Sequence, residues 1–146
     1  MKNKFFYFRF ITLMMGVGLI ALGGNIMKTN KVKIFYLPFD VGTYLPVTPD
    51  NIEEQAKCIF NLPLSDDIVT RLQNIFNLPH HKGDFINKLV RLKIEGLHKE
   101  PILVDMEGNV MESKEQVFKF SEQVFSELKD LTVTLEKQRP HDCRYK

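Results

Sequence analysis

Glycine is sparse in the body of this chain. Residues 28–146 hold only Gly42, Gly83, Gly96 and Gly108, each at least a dozen positions from the next. Nucleotide cradles need clustered glycines so that backbone amides can approach phosphate closely, so a Rossmann or P-loop enzyme is excluded and no nucleotide is expected. Serine is equally thin: Ser65, Ser113, Ser121 and Ser126 are the whole set. None sits between the glycines that let a nucleophile elbow adopt its strained turn, which argues against a serine hydrolase. A surplus of positive charge is missing as well. Of 20 Lys and Arg, three (Lys2, Lys4, Arg9) lie in the first 27 residues, which contain none of the 18 acids, so the body carries 17 basic and 18 acidic side chains. Phosphate neutralisation needs a basic surplus on one face, so no nucleic-acid partner is expected. The chain is nonetheless 44% hydrophobic and 11% aromatic over 146 residues, enough apolar material for one folded domain.

The first 27 residues read separately. Lys2, Lys4 and Arg9 precede Phe10 to Leu22, a run in which Thr12 is the only polar side chain. A charged segment followed by an apolar one of this length is the pattern of an export signal. Ala21 and Gly23 are small residues at the −3 and −1 positions of a cut before Gly24. Extended to Met27, the run is at the short end of what crosses a bilayer, so an uncleaved membrane anchor through residues 10–27 fits equally. Four glycines between Gly16 and Gly24 and the lack of a polar face argue against a core helix of a water-soluble domain. Translation starting at Met27 is the third alternative, and it would leave the body cytosolic.

Cysteine is limited to Cys58 and Cys143. Paired, they would close a long loop and stabilise by roughly 4 kcal/mol in the chain-entropy model. Unpaired, Cys58 is a small apolar residue on a helix and Cys143 a free thiol in the tail. Spacing alone does not choose, and the unpaired reading is taken as the starting expectation.

Residues 28–137 are expected to form a small α+β domain with a mostly antiparallel sheet and about three helices, followed by a polar tail, 138–146. Val32, Ile34 and Tyr36 alternate with Lys31 and Lys33, predicting a strand over 31–39 that ends or lies at an edge at Pro38. Thr48-Pro49 opens a predicted helix to about Phe60, with Ile52, Ala56, Ile59 and Phe60 on one face. A second helix follows Ser65, with the stripe Ile68, Leu72, Ile75 and Phe76. Val90, Leu92 and Ile94 alternate with Arg91, Lys93 and Glu95, predicting a strand with one wet face; Ile102 to Met106 is its antiparallel partner. Ser113 with Gln116 reads as a capping box for a third helix carrying Val117, Phe120, Val124 and Leu128. Residues 131–137 alternate again and are read as a last strand in preference to more helix.

The chemistry available is modest. His80 and His81 could shuttle protons or bind metal, but adjacent side chains on an extended chain diverge, unlike an i, i+4 pair on a helix. His141 and Cys143 are a weak ligand pair for the same want of a third partner. Asp105, Glu107 and Asn109 resemble an oxygen-rich loop, yet the twelfth position of a calcium loop started at Asp105 is Gln116, so a turn is expected. Lys82, Lys88, Arg91 and Lys93 form a basic stripe on the wet face of the sheet. Cys58 as a nucleophile has no local support. No catalytic, cofactor-binding or metal site is therefore assigned. The expectation is a non-enzymatic cell-envelope protein, bacterial by its compact leader, anchored in the inner membrane with a periplasmic domain or released if the leader is cut. It would act by binding an unknown protein partner in an accessory or immunity-like role. The alternatives are a small enzyme using His80, His81 or Asp105, and a structural protein self-associating through the strand at 31–39.

Overall fold

The computed structural model describes residues 30–113 and 116–144; the leader, with its cut site and its anchor reading, lies outside them. Seven strands form one antiparallel sheet: β1 (Lys31–Tyr36), β2 (Cys58–Pro63), β3 (His81–Lys82), β4 (Val90–Glu95), β5 (Ile102–Asp105), β6 (Asn109–Ser113) and β7 (Gln116–Lys119). Their order across the sheet is β2-β1-β4-β5-β6-β7-β3. Three helices accompany it, α1 (Ile52–Gln55), α2 (Asp67–Phe76) and α3 (Glu122–Gln138). The fold is α+β, with a mostly antiparallel sheet.

Alternation in β1 sorts the two faces. Val32, Ile34 and Tyr36 join a cluster with α2 and α3, whereas Phe35 and the following Leu37 join a second cluster with Val47, Ile52 and Ala56. Helices α2 and α3 thus cover one face, and a loop containing α1 covers the other. In α2 the expected stripe is buried, with Val69 added. Its cap is Asp66, not Ser65: the Asp66 carboxylate accepts from the Ile68 amide at 2.9 Å, a favourable partner for an unpaired helix N–H.

Four expectations are corrected. The helix predicted from Pro49 to Phe60 is a single turn, Ile52–Gln55, and residues from Cys58 onward are a strand. Cys58, Phe60 and Leu62 are buried at period two while β2 pairs with β1 along six residues, from Tyr36↔Cys58 to Lys31↔Pro63. Pairing along that ladder gives these backbone groups partners that the further turn and a half of a helix ending near Phe60 would otherwise supply. The β1 strand ends at Tyr36, short of Pro38, the first of the two expected outcomes; what is corrected is the self-association alternative, because β1 pairs with β2 on one side and β4 on the other and offers no free edge. The third helix starts late. Ser113 ends β6, Gln116 opens β7, and Phe118 and Phe120 are buried on either side of exposed Lys119; the true cap is Ser121, whose hydroxyl accepts from the Val124 amide at 3.3 Å. Finally, 131–137 is helix. Leu128, Leu131, Thr132 and Leu135 are buried on one face of α3, and the hydroxyls of Thr132 and Thr134 donate to the carbonyls of Lys129 and Asp130, each at 2.8 Å. Burial of that stripe overrides the weak helix preference of the branched residues.

The tail is pinned. After α3 a short 3-10 turn, Pro140–Asp142, brings Cys143 into a disulfide with Cys58, which corrects the unpaired reading. Arg144 then donates its amide to the Lys57 carbonyl at 2.7 Å. The bridge joins residues 85 positions apart, a long closure of the kind that restricts the unfolded chain most.

Candidate functional site

One concavity lies where the loop-covered face meets the pinned tail. Beyond β1 the Leu37 amide donates to the Arg91 carbonyl at 2.8 Å, and at the far end of the loop Val47 bonds to Lys88 and Val90 at 3.2 and 2.9 Å. Between these anchor points residues 38–46 leave the sheet. They expose Val41 at 47%, Leu45 at 64% and Tyr44 fully. Leu37, Pro38 and Val41 form one wall of a cleft of about 490 Å³; Glu54 to Lys57 and Arg144 form the other.

Arg91 sits behind the first wall. It belongs to the face that alternation assigned to water, but the loop roofs that face here and leaves Arg91 only 1% exposed. A bulge between Val90 and Leu92 also turns Val90 from the helix-covered side into the loop-side cluster. The guanidinium donates to the carbonyls of Val90 at 3.0 Å and Val41 at 3.2 Å. Its Nε has no partner. Burial pulls its pKa below the ordinary value, yet a guanidinium stays charged in a protein. Among the described residues no carboxylate forms an ion pair with it. Arg144, on the cleft rim, donates to the Glu54 carbonyl at 3.3 Å and likewise pairs with no described carboxylate.

The residues singled out by sequence fall elsewhere and do not converge. The Asp105 carboxylate is fully buried as the hub of a turn. It accepts from the amides of Ile86, Glu107 and Asn109 and from the Asn109 side chain, all at 2.9 Å. The turn closes through Gly108 at φ +80°, where a Cβ would meet the Phe125 ring at 2.8 Å. Glu107 is exposed on the same turn, so the two carboxylates do not share a site. His80 and His81 are exposed; His80 lies 3.9 Å over Phe118, with Nδ1 3.2 Å from the Leu78 carbonyl. They line a shallow cavity of about 450 Å³ with His98, which the sequence reading passed over and whose Nδ1 lies 3.3 Å from Glu112. The basic stripe is broken up: Arg91 is buried, and Lys93 is held by Glu53 at 2.5 Å and Glu95 at 2.8 Å, leaving Lys82 and Lys88 exposed. His141 faces Asp142 at 3.6 Å.

One set of metal-ligating atoms gathers within 4.8 Å among the described residues, that of Cys58, Glu136 and Cys143. Both sulfurs are committed to the disulfide, and Glu136 is bound to Lys57 at 2.5 Å, so the set has no thiolate to offer a cation. Cys58 is for the same reason no nucleophile. Among the described residues no helix is long and apolar enough to cross a membrane. No family model, no curated protein and no solved structure matches this chain.

Proposed function

We propose that this chain is a non-enzymatic protein of the cell envelope, delivered there by its apolar leader, either kept as an anchor or cut away, and acting by binding another protein. The observation that carries the reading is the Cys58–Cys143 disulfide. Structural disulfides persist in oxidising compartments and are rare in the cytosol, and the charged and apolar segments of residues 2–22 are the address that leads to such a compartment. The alternative of an enzyme needs His80, His81 and Asp105 to meet around a substrate, whereas Asp105 has its oxygens filled by amides and the histidines lie on the surface. That arrangement favours the binder.

The test is fractionation of the producing cells with intact-mass measurement of the chain, after quenching with a thiol-alkylating reagent before lysis. The expected result is envelope-associated protein with neither cysteine alkylated unless a reductant is added first. Its mass would show either the full chain or a start at Gly24. A cytosolic chain beginning at Met27 with two alkylated thiols would overturn the proposal.

A further inference from the structure

We infer that the cleft between the 38–46 loop and residues 54–57 is a docking site for an acidic segment of a protein partner. A carboxylate of that segment meets Arg144 at the rim, in the field of Arg91 behind the wall, while its apolar side chains cover Val41, Tyr44 and Leu45. The inference rests on the protein-binding reading above and names the surface and the chemistry of the partner.

Three independent observations lead to it. The first is the buried guanidinium. A cation taken out of water without a carboxylate costs several kcal/mol unless its donors are satisfied, and Arg91 has only two carbonyls for its five N–H groups, with Nε left over. Such a group is a standing source of positive potential under a thin roof, because its charge is poorly screened by the surrounding protein. The second is the loop itself. Large apolar side chains exposed singly are ordinary, but here Val41, Tyr44 and Leu45 crowd into five residues of the loop whose Leu37, Pro38 and Val41 end lines the cleft. Tyrosine and arginine are the residues that most often anchor protein interfaces. The third is charge balance at the rim. The backbone of Arg144 is held by its own amide and the neighbouring disulfide, and its exposed guanidinium donates to the Glu54 carbonyl at the rim. Glu54 is the only acid among the residues lining the cleft, and Lys57, on the same wall, is bound to Glu136. The incoming group best matched to this setting is a carboxylate flanked by apolar side chains.

The position of the loop favours a protein over a lipid surface. The chain enters the described fold at Asn30 and reaches the loop only after β1, six residues long, which spans about 20 Å at strand rise. The exposed side chains therefore lie beyond the end of β1 opposite Asn30.

The probe is a phage-displayed library of random dodecapeptides, panned on the full chain in detergent micelles with empty micelles as counter-selection. Enriched peptides are synthesised and titrated by fluorescence anisotropy. The expected result is enrichment of Asp or Glu next to Leu, Phe or Val. Affinity should fall at least tenfold in Arg144→Glu and in Leu45→Asp, both exposed positions where folding is retained. In Arg91→Met it should fall about tenfold while the thermal midpoint is unmoved or raised, an outcome a merely structural arginine would not produce. Enrichment of basic or featureless peptides, or binding indifferent to the three variants, would overturn the inference. So would dimerisation of the unliganded chain abolished by Leu45→Asp, since the occupant would then be a second copy. Peptides that bind but ignore these variants remove the cleft and leave protein binding standing; cytosolic, reduced chain in the fractionation removes the reading beneath it.

Discussion

The sheet carries two coverings of different kinds. On one face the buried leucines of α3 and the stripe of α2 share a continuous cluster with Ile34, Phe60, Ile94 and Val104. On the other, Phe35, Leu37, Val90 and Leu103 lie under Val47, Ile52 and Ala56, a loop with one helical turn in it. The first covering is made of long amphipathic elements whose apolar stripes match the sheet, and dense packing of that sort supplies most of the stability of a domain this size. The second is thin, tolerates a charged residue beneath it and leaves three apolar side chains outside it. Stability is concentrated on the helical side, and the features that invite a partner lie on the loop side.

The disulfide should give the largest effect when broken. Both of its cysteines belong to the helix-side cluster, and Arg144, next to Cys143, lines the cleft. Replacing both cysteines by alanine is expected to lower unfolding free energy by roughly 4 kcal/mol, measured by urea titration against the oxidised chain. Unchanged stability would mean that the tail contributes nothing beyond its local turn.

Truncation within each covering separates them next. Leu131→Ala removes a side chain 1% exposed on α3, held between elements that cannot collapse inward, and is expected to cost about 3–4 kcal/mol. Leu37→Ala, 9% exposed under the loop, is expected to cost about 2 kcal/mol, because a loop can settle into the space. Equal losses in paired urea melts would contradict the contrast. Asp105→Asn probes the sheet away from both coverings. Asn keeps one acceptor oxygen and sets an NH2 group in place of the other, so of the four hydrogen bonds that Asp105 accepts two lose the charge and two are lost outright, for an expected loss of about 2 kcal/mol; faster hydrogen exchange at the Ile86, Glu107 and Asn109 amides should accompany it.

The same contrast explains what could be read from the letters. In β1 and α2 the local preference and the burial pattern point the same way, so periodicity was enough; in β4 and β5 it found the strands but not the covering of their second face. The 52–63 stretch carries two patterns at once: Ile52, Ala56, Ile59 and Phe60 make a helical stripe, and Cys58, Phe60 and Leu62 make a strand. Only pairing with β1 decides. Ser113 and Gln116 mimic a capping box inside a hairpin, and the real helix begins at Ser121 with a cap of the same residue type. The cleft was invisible for a different reason. Arg91 and Lys93 look alike on an alternating strand; one is buried because a loop fifty residues away crosses above it, and no local signal reports that crossing. The loop 40–47 was legible as a loop, but not the fact that its apolar residues stay outside.

The smallest expected effect concerns how the loop-side covering is finished at its margin. Phe35 is 1% exposed although Lys33 and Lys93 stand over its ring, with their ammonium groups 4.6 and 5.6 Å from its centre. Long aliphatic stems with charged heads cover an aromatic surface where no helix does. For Lys93, burial alone would lower the pKa, but the hydrogen bonds it donates to Glu53 and Glu95 outweigh it and raise the value above the ordinary 10.5. The hydrogen bond from Lys93 holds Glu53 below its ordinary 4.5. The signs then set the pH window. The depressed Glu53 contributes stability that is present above pH 4.5 and lost as pH falls through its folded pKa. The raised Lys93 contributes stability that is present below pH 10.5 and lost as pH rises through its folded pKa. Lys93→Met keeps the stem over Phe35 and removes the charge, so the variant should be less stable than the native chain by about 0.3–1 kcal/mol between those limits. The difference should shrink towards zero at either end, as followed by urea midpoints across pH. A difference that persists at pH 3 would assign the role of Lys93 to its ammonium over the Phe35 ring, with the ion pairs contributing nothing to that margin.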